Sequence, residues 1–187
     1  MLTTSLTLLD KLRQPEDPVA WTRFVKLYAP LLLHWARRQG FQPADAADLT
    51  QDVLLKMFRL LAGYVRGSGQ TFRGWLFRII VNQARDFRRR RATRALPQSD
   101  ELPDPEADSP IAEMDETEYR QLLVRRGMEL IRSDFNNSTW SAFEEVMQKG
   151  RPPSEVAKQL GISENAVFMA RHRILKRLRE ELDGMLE

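Results

Sequence analysis

Residues 95–119 constrain this chain more than any other stretch. They hold nine acids, four prolines and no Lys or Arg. Hardly any apolar periodicity runs through LPQSDELPDPEADSPIAEMDETE, so burial cannot repay the entropy of ordering it. It reads as a flexible acidic, Pro-rich linker over 95–116, with one unit before it at 1–94 and another after it at 117–187. Each unit is short enough to have only a limited core.

The net charge of +3 over 187 residues conceals how the charge is distributed. Residues 1–94 carry 17 Lys and Arg against 7 Asp and Glu, whereas residues 120–187 carry 12 against 10. A strongly basic first unit points to a polyanionic partner. Cysteine is absent, which excludes a disulfide framework, a thiolate zinc site and a cysteine nucleophile. His34 and His172 are too few for a nitrogen-ligated zinc. No metal and no cofactor is therefore expected. There is no P-loop and no nucleophile motif, so an enzyme is not expected either. No apolar run reaches the ~18 residues of a membrane span. The start MLTTSLTLLDKLRQPED also lacks a basic n-region and a small-residue cleavage site, so the expected location is cytoplasmic.

Outside the linker the apolar residues recur three and four apart, without sustained strand alternation or a hairpin signal, so the fold class is all-α. A short helix is expected at about Leu6 to Leu12. Asp17 followed by Pro18 should cap a helix running to Gly40 that carries Trp21, Phe24, Val25, Tyr28, Leu32 and Trp35, with Pro30 kinking or splitting it. A second long helix runs from about Pro43 to Leu61 with Leu49, Val53, Met57 and Leu60 as its stripe. Leu54, Leu55 and Phe58 widen that stripe, so packing on two sides is expected. Thr71 should cap a third, whose buried stripe is Phe72, Trp75, Leu76, Ile79, Ile80, Ala84 and Phe87. After the linker, Asp115 and Ser138 are candidate caps for helices ending near Arg132 and Lys149. Pro153 opens a short helix stopped by Gly161, and Ser163 caps a long last one.

Three constellations carry chemistry. The first is PSEVAKQLGISENAVFMARH, residues 153–172, which fits a helix-turn-helix position by position. Val156, Leu160, Ile162, Val167 and Ala170 supply the contacts between its two helices. Ala157 is small at their closest approach, and Gly161 stands where the turn needs positive φ. An αα-corner uses the same turn without DNA, but RHRILKRLR continues the second helix with phosphate-binding charge. Its outward residues would read base edges in the major groove: Ser163, Glu164, Asn165, Phe168, Met169, Arg171 and His172.

The second is RIIVNQARDFRRRRA, a helix with an apolar stripe on one side, Arg78, Asn82, Arg85, Arg88 and Arg89 on the other, and four consecutive arginines at its end. The same charge also suits a solvated helix C-terminus. The neighbouring Gly-bearing loop holds Tyr64 and Arg66, and basic groups interleaved with an aromatic suit single-stranded or distorted nucleic acid. Phe72 and Trp75 read as core, Tyr64 as the freer ring.

The third is DAADLTQD, with Asp45, Asp48 and Asp52 at helical spacing beside Gln51. A magnesium site would want phosphate-binding residues converging from a second helix, and none is evident. A polar protein-binding face fits better, and a solvated face is the plain alternative.

Taken together, FVKLYAPLLLHWARRQGF, ADAADLTQDVLLKMF, TFRGWLFRIIVNQARDFRRRR and residues 120–183 resemble the bacterial RNA polymerase sigma factors of the extracytoplasmic-function (ECF) group. The resemblance implies a first domain that melts promoter DNA and a second, helix-turn-helix domain for the minus-thirty-five element. It implies that Asp48, Gln51 and Asp52 dock on the clamp helices of the largest subunit of core polymerase. It also implies that Tyr64, Arg66, Arg78, Asn82, Arg85, Arg88 and Arg89 serve the minus-ten element, where a non-template base is flipped out. Ser163, Glu164, Asn165, Phe168, Met169, Arg171, His172 and Arg173 would then serve the minus-thirty-five element. The linker would mimic nucleic-acid charge near the RNA exit path, and a separate anti-sigma protein would restrain the factor. Many family members have a Lys-Ser-Arg-like trio where this chain has Phe168, Met169 and Ala170. Phe168 and Met169 would therefore either meet thymine methyls or pack against protein. The competing reading is a dimeric helix-turn-helix regulator, which leaves the aspartate face and the acidic linker without a role.

Overall fold

In the computed structural model, residues 7–12, 17–65, 71–95 and 114–186 are described. They form eight α-helices and two single 3₁₀ turns, with no strand among the described residues. The linker expected at 95–116 lies for the most part outside them, as does Arg66.

The helices start where side chains can satisfy their first N–H groups. α1, Leu8–Leu12, is opened by Thr7, whose Oγ1 accepts from the Asp10 N–H while Asp10 Oδ2 accepts from the Thr7 N–H. Asp17 caps α2, Pro18–Arg38, by accepting from the N–H groups of Val19 and Ala20 at 3.0 and 2.9 Å. Of the two outcomes expected of Pro30, a kink or a split, the split does not occur: the helix runs through it. The cost of an interior proline, about 3 kcal/mol, is offset because Leu27, Tyr28, Leu31 and Leu32 on both sides of it are buried. α3 spans Pro43–Leu60, and α4, Phe72–Ala95, opens with Thr71 Oγ1 accepting from the Gly74 N–H at 3.0 Å.

The first part of the core is aromatic. Phe72, the first residue of α4, meets the rings of Phe24, Tyr28, Tyr64 and Trp75 at centroid distances of 5.4–6.5 Å. The second side expected for α3 is covered only in part: Leu54 is half-buried and packs against the core, whereas Leu55 and Phe58 are each 51% exposed, Phe58 lying against the Trp21 ring.

α5, Glu116–Ile131, is capped by Asp115, as its sequence suggests. α6 is Asn137–Met147, and its cap is Asn136 rather than Ser138: the Asn136 side chain accepts from the Thr139 N–H at 2.8 Å. Asparagine and serine cap equally well, and Asn136 is the one set in extended backbone. α7, Pro153–Leu160, ends at Gly161 with φ 65°, and α8, Glu164–Leu182, begins with Ser163 Oγ accepting from the Ala166 N–H. Gly127 on α5 lets α8 come close, because a Cβ there would meet Leu178 Cδ1 at 2.8 Å.

α8 has two jobs. Val167 and Ala170 join Ala142, Val156 and Ala157 in the small helix-turn-helix core. Ile174, Leu178 and Leu182 belong to the larger core, which runs on through α5 into α1, α2, α3 and α4. The two helical parts thus pack on each other, α2 against α5 and α1 against α8.

Polar contacts line this junction. Arg23 on α2 makes a two-point contact with Glu181 on α8, at 2.8 and 3.0 Å, and Arg177 reaches the same carboxylate at 2.8 Å. Burial pushes the Glu181 carboxyl up, but the two guanidinium groups outweigh it and hold it below the usual carboxylate value. Glu118 on α5 lies 2.8 Å from His34 Nε2 and accepts from Arg38, and these contacts lower its pKa, that with His34 foremost. Arg73 donates to the Met114 carbonyl at 2.6 Å.

At the centre of the junction the hydroxyls of Tyr28 and Tyr119 lie 3.1 Å apart, and Tyr119 donates to the Met185 carbonyl at 2.9 Å. Tyr119 has one proton, so Tyr28 is the donor between the two. Tyr119→Phe then strands both the Tyr28 O–H and the Met185 carbonyl. Tyr28→Phe strands no donor. At about 1–3 kcal/mol per stranded buried group, Tyr119→Phe is expected to destabilise more, by about 1–2 kcal/mol. Urea unfolding of the two variants reads the difference, and equal losses would contradict this donor order.

Candidate functional site

Three surfaces carry the residues singled out from the sequence. On α4, Arg78, Asn82, Arg85 and Arg89 are exposed and recur four, three and four residues apart, so they form one stripe opposite the buried side. Arg88 does not belong to it. Its guanidinium sits 5.2 Å over the Phe41 ring and donates to the Gln39 carbonyl at 3.1 Å, which ties α4 to the end of α2. Tyr64 likewise departs from expectation. Its ring is 6% exposed, packed between Phe72 and Trp75, because the turn after α3 tucks it into the aromatic cluster. It therefore offers no free stacking face.

On α3, Asp48 and Gln51 are exposed and Asp52 is half-exposed. Asp52 accepts from Arg90 at 2.7 Å, and Asp45 pairs with Arg91. The end of α4 thus lies across the acidic side of α3. Of the four consecutive arginines, Arg88, Arg90 and Arg91 have partners within the chain, while Arg89 lies on the outward stripe. Beside Asp52 the exposed Leu55 and Phe58 continue the same side of α3, which makes the face part acidic and part apolar. The breadth of the α3 apolar pattern was their only signal in the sequence, and it suggested burial.

The helix-turn-helix forms as its spacing predicts. The N–H of Gly161 and that of Ile162 both reach the Ala157 carbonyl, and Val156, Ala157, Val167 and Ala170 are buried between the helices with Leu160 and Ile162 beside them. Glu164, Asn165, Phe168, Met169, Arg171, His172 and Arg173 are all exposed on α8, and Ser163 sits at its start. No helix among the described residues is long and apolar enough to cross a membrane.

The basic stripe on α4 and the acidic face on α3 both lie inside a segment, residues 24–94, that matches the family pattern described as Sigma-70 region 2. Residues 24–94 are a Sigma-70 region 2 domain. The chain is also similar to curated relatives. One is the ECF RNA polymerase sigma factor SigE of Mycolicibacterium smegmatis, 38% identical over 72 residues, which are 38% of this chain and 27% of that protein. Another is the RNA polymerase sigma factor NccH of Alcaligenes xylosoxydans xylosoxydans, 35% identical over 78 residues, which are 42% of this chain and 41% of that protein. The matched stretches thus span between about a quarter and two fifths of these relatives. Within the region 2 domain, α3 supplies the acid, amide and apolar face and α4 the basic stripe.

Proposed function

We propose that this chain is an ECF-type sigma factor that binds core RNA polymerase, recognises promoter DNA and promotes its melting. The observation that carries the reading is a region 2 domain on the same chain as a helix-turn-helix with its reading face exposed. The α3 face of Asp48, Gln51 and Asp52, extended by Leu55 and Phe58, docks on the clamp helices of the largest polymerase subunit, where an acidic face suits a basic partner. Arg78, Asn82, Arg85 and Arg89 meet phosphates and bases at the minus-ten element. Extruding a base costs a few kcal/mol, which those contacts offset. The outward face of α8 reads the minus-thirty-five element. Residues 1–94 and 117–187 act as the two working units, joined by 95–116, and an anti-sigma protein is the expected restraint.

Elements about 25 base pairs apart are about 85 Å apart on straight duplex, whereas a packed body of this length is about 40 Å across. Engaging both therefore requires the α2, α5 and α8 junction to open.

The test is comigration of the purified chain with sigma-free core polymerase on gel filtration, where a stoichiometric complex is expected. No complex, with tight binding of a dimer to duplex DNA instead, would replace this reading with the dimeric regulator. Dyes on cysteines introduced at Thr22 and Gln148 of this cysteine-free chain report the opening in the same complex. Their separation should lengthen on binding, and an unchanged distance would refute the opening.

A further inference from the structure

The exposed aromatic and thioether in the middle of the α8 reading face bear on what that face can recognise. Phe168 is 51% exposed and Met169 45%. Neither belongs to the small helix-turn-helix core nor to the larger one. On α8 they share a side with Asn165 and His172, three or four residues away, opposite the buried Val167, Ala170 and Ile174. Packing within the chain therefore does not account for them. The charge around them indicates the partner: Arg171, His172, Arg173, Lys176 and Arg179 follow on the same helix and are exposed, and Glu164 is the one acid in its first turn. That surface suits a polyanion, with the two apolar side chains at its centre.

Neither side chain can form the two-point hydrogen bonds that distinguish guanine, adenine or cytosine in the major groove. The apolar feature available to them there is the C5-methyl group of thymine. Two adjacent residues, one rigid ring and one flexible thioether, can cover two neighbouring methyls.

We propose that Phe168 and Met169 are the specificity-determining residues of the upstream contact, selecting two thymines through their methyl groups. This rests on the sigma-factor reading, and the test separates the two. Holoenzyme formed from the full chain and core polymerase is used to select duplexes from a pool randomised in the upstream element. Each selected thymine is then replaced by deoxyuridine, which removes the methyl and leaves base pairing unchanged.

Two selected thymines are expected, with binding weakened about fourfold per methyl removed, the value of one buried carbon. The Phe168→Ser, Met169→Ser variant alters only exposed side chains. It should keep its circular dichroism and its complex with core, bind the thymine duplex more weakly, and no longer distinguish it from the deoxyuridine duplex. Equal binding of both duplexes by the unaltered chain, or a selected element without thymine, would overturn the inference while leaving the sigma-factor reading intact. A holoenzyme with no upstream preference would likewise overturn the inference alone, whereas failure to form a holoenzyme would overturn the sigma-factor reading.

Discussion

Combining Asp48→Arg with Asp52→Arg is expected to abolish comigration with core polymerase, a loss of about a hundredfold or more in affinity, because like charges set across an interface cost several kcal/mol. The fold should survive. Asp48 is exposed, and Asp52 is half-exposed and pairs with Arg90 at 2.7 Å, between side chains that are themselves 38% and 56% exposed. An ion pair this open contributes little, about 0–1 kcal/mol. Losing it, and setting a new arginine beside Arg90, should leave the helical circular dichroism unchanged. The matched control is Asp86→Arg with Glu180→Arg, which adds the same charge at exposed sites on α4 and α8. It should leave the complex in place. If the first pair of reversals retains the complex, α3 is not the docking face. If both pairs abolish it, the effect belongs to net charge.

What was legible in the sequence was local. The caps Asp17, Thr71, Asp115 and Ser163 lie within three residues of the N–H groups they satisfy, and Gly161 stands at the turn that needs its positive φ. Spacing alone therefore located these helix starts and the helix-turn-helix. The junction between the two helical parts was not legible, because its partners are far apart along the chain: Tyr28 and Tyr119 by 91 residues, Arg23 and Glu181 by 158. Nothing in the spacing of one helix announces the other.

The candidate site shows the same limit. Helical periodicity grouped Arg88 with Arg78, Asn82, Arg85 and Arg89, yet Arg88 turns onto Phe41. Periodicity also gave no hint that Asp45 and Asp52 would pair with Arg91 and Arg90. Which of several arginines faces solvent depends on what the neighbouring helix offers. The helix's own sequence does not contain that information.

Two phenylalanines make the same distinction measurable. Phe72→Ala is expected to destabilise the protein by about 3–5 kcal/mol, read as a fall in the urea midpoint at unchanged slope. Phe72 is fully buried and touches four other rings, so its removal leaves Phe24, Tyr28, Tyr64 and Trp75 around a void. Those rings come from α2, α4 and the turn after α3, and they cannot all move inward without pulling these elements apart. Phe168→Ala, on the outward face of α8, is expected to change stability by no more than about 0.5 kcal/mol. A Phe72→Ala loss below about 1.5 kcal/mol would mean the cluster collapses into the void, and that α4 is held by its aliphatic stripe instead. A larger loss has a functional corollary. The outward stripe from Arg78 to Arg89 rides on the helix that Phe72 anchors, so if that stripe serves the minus-ten element as proposed, a variant that stays folded at low temperature should lose minus-ten binding before it loses upstream binding through α8.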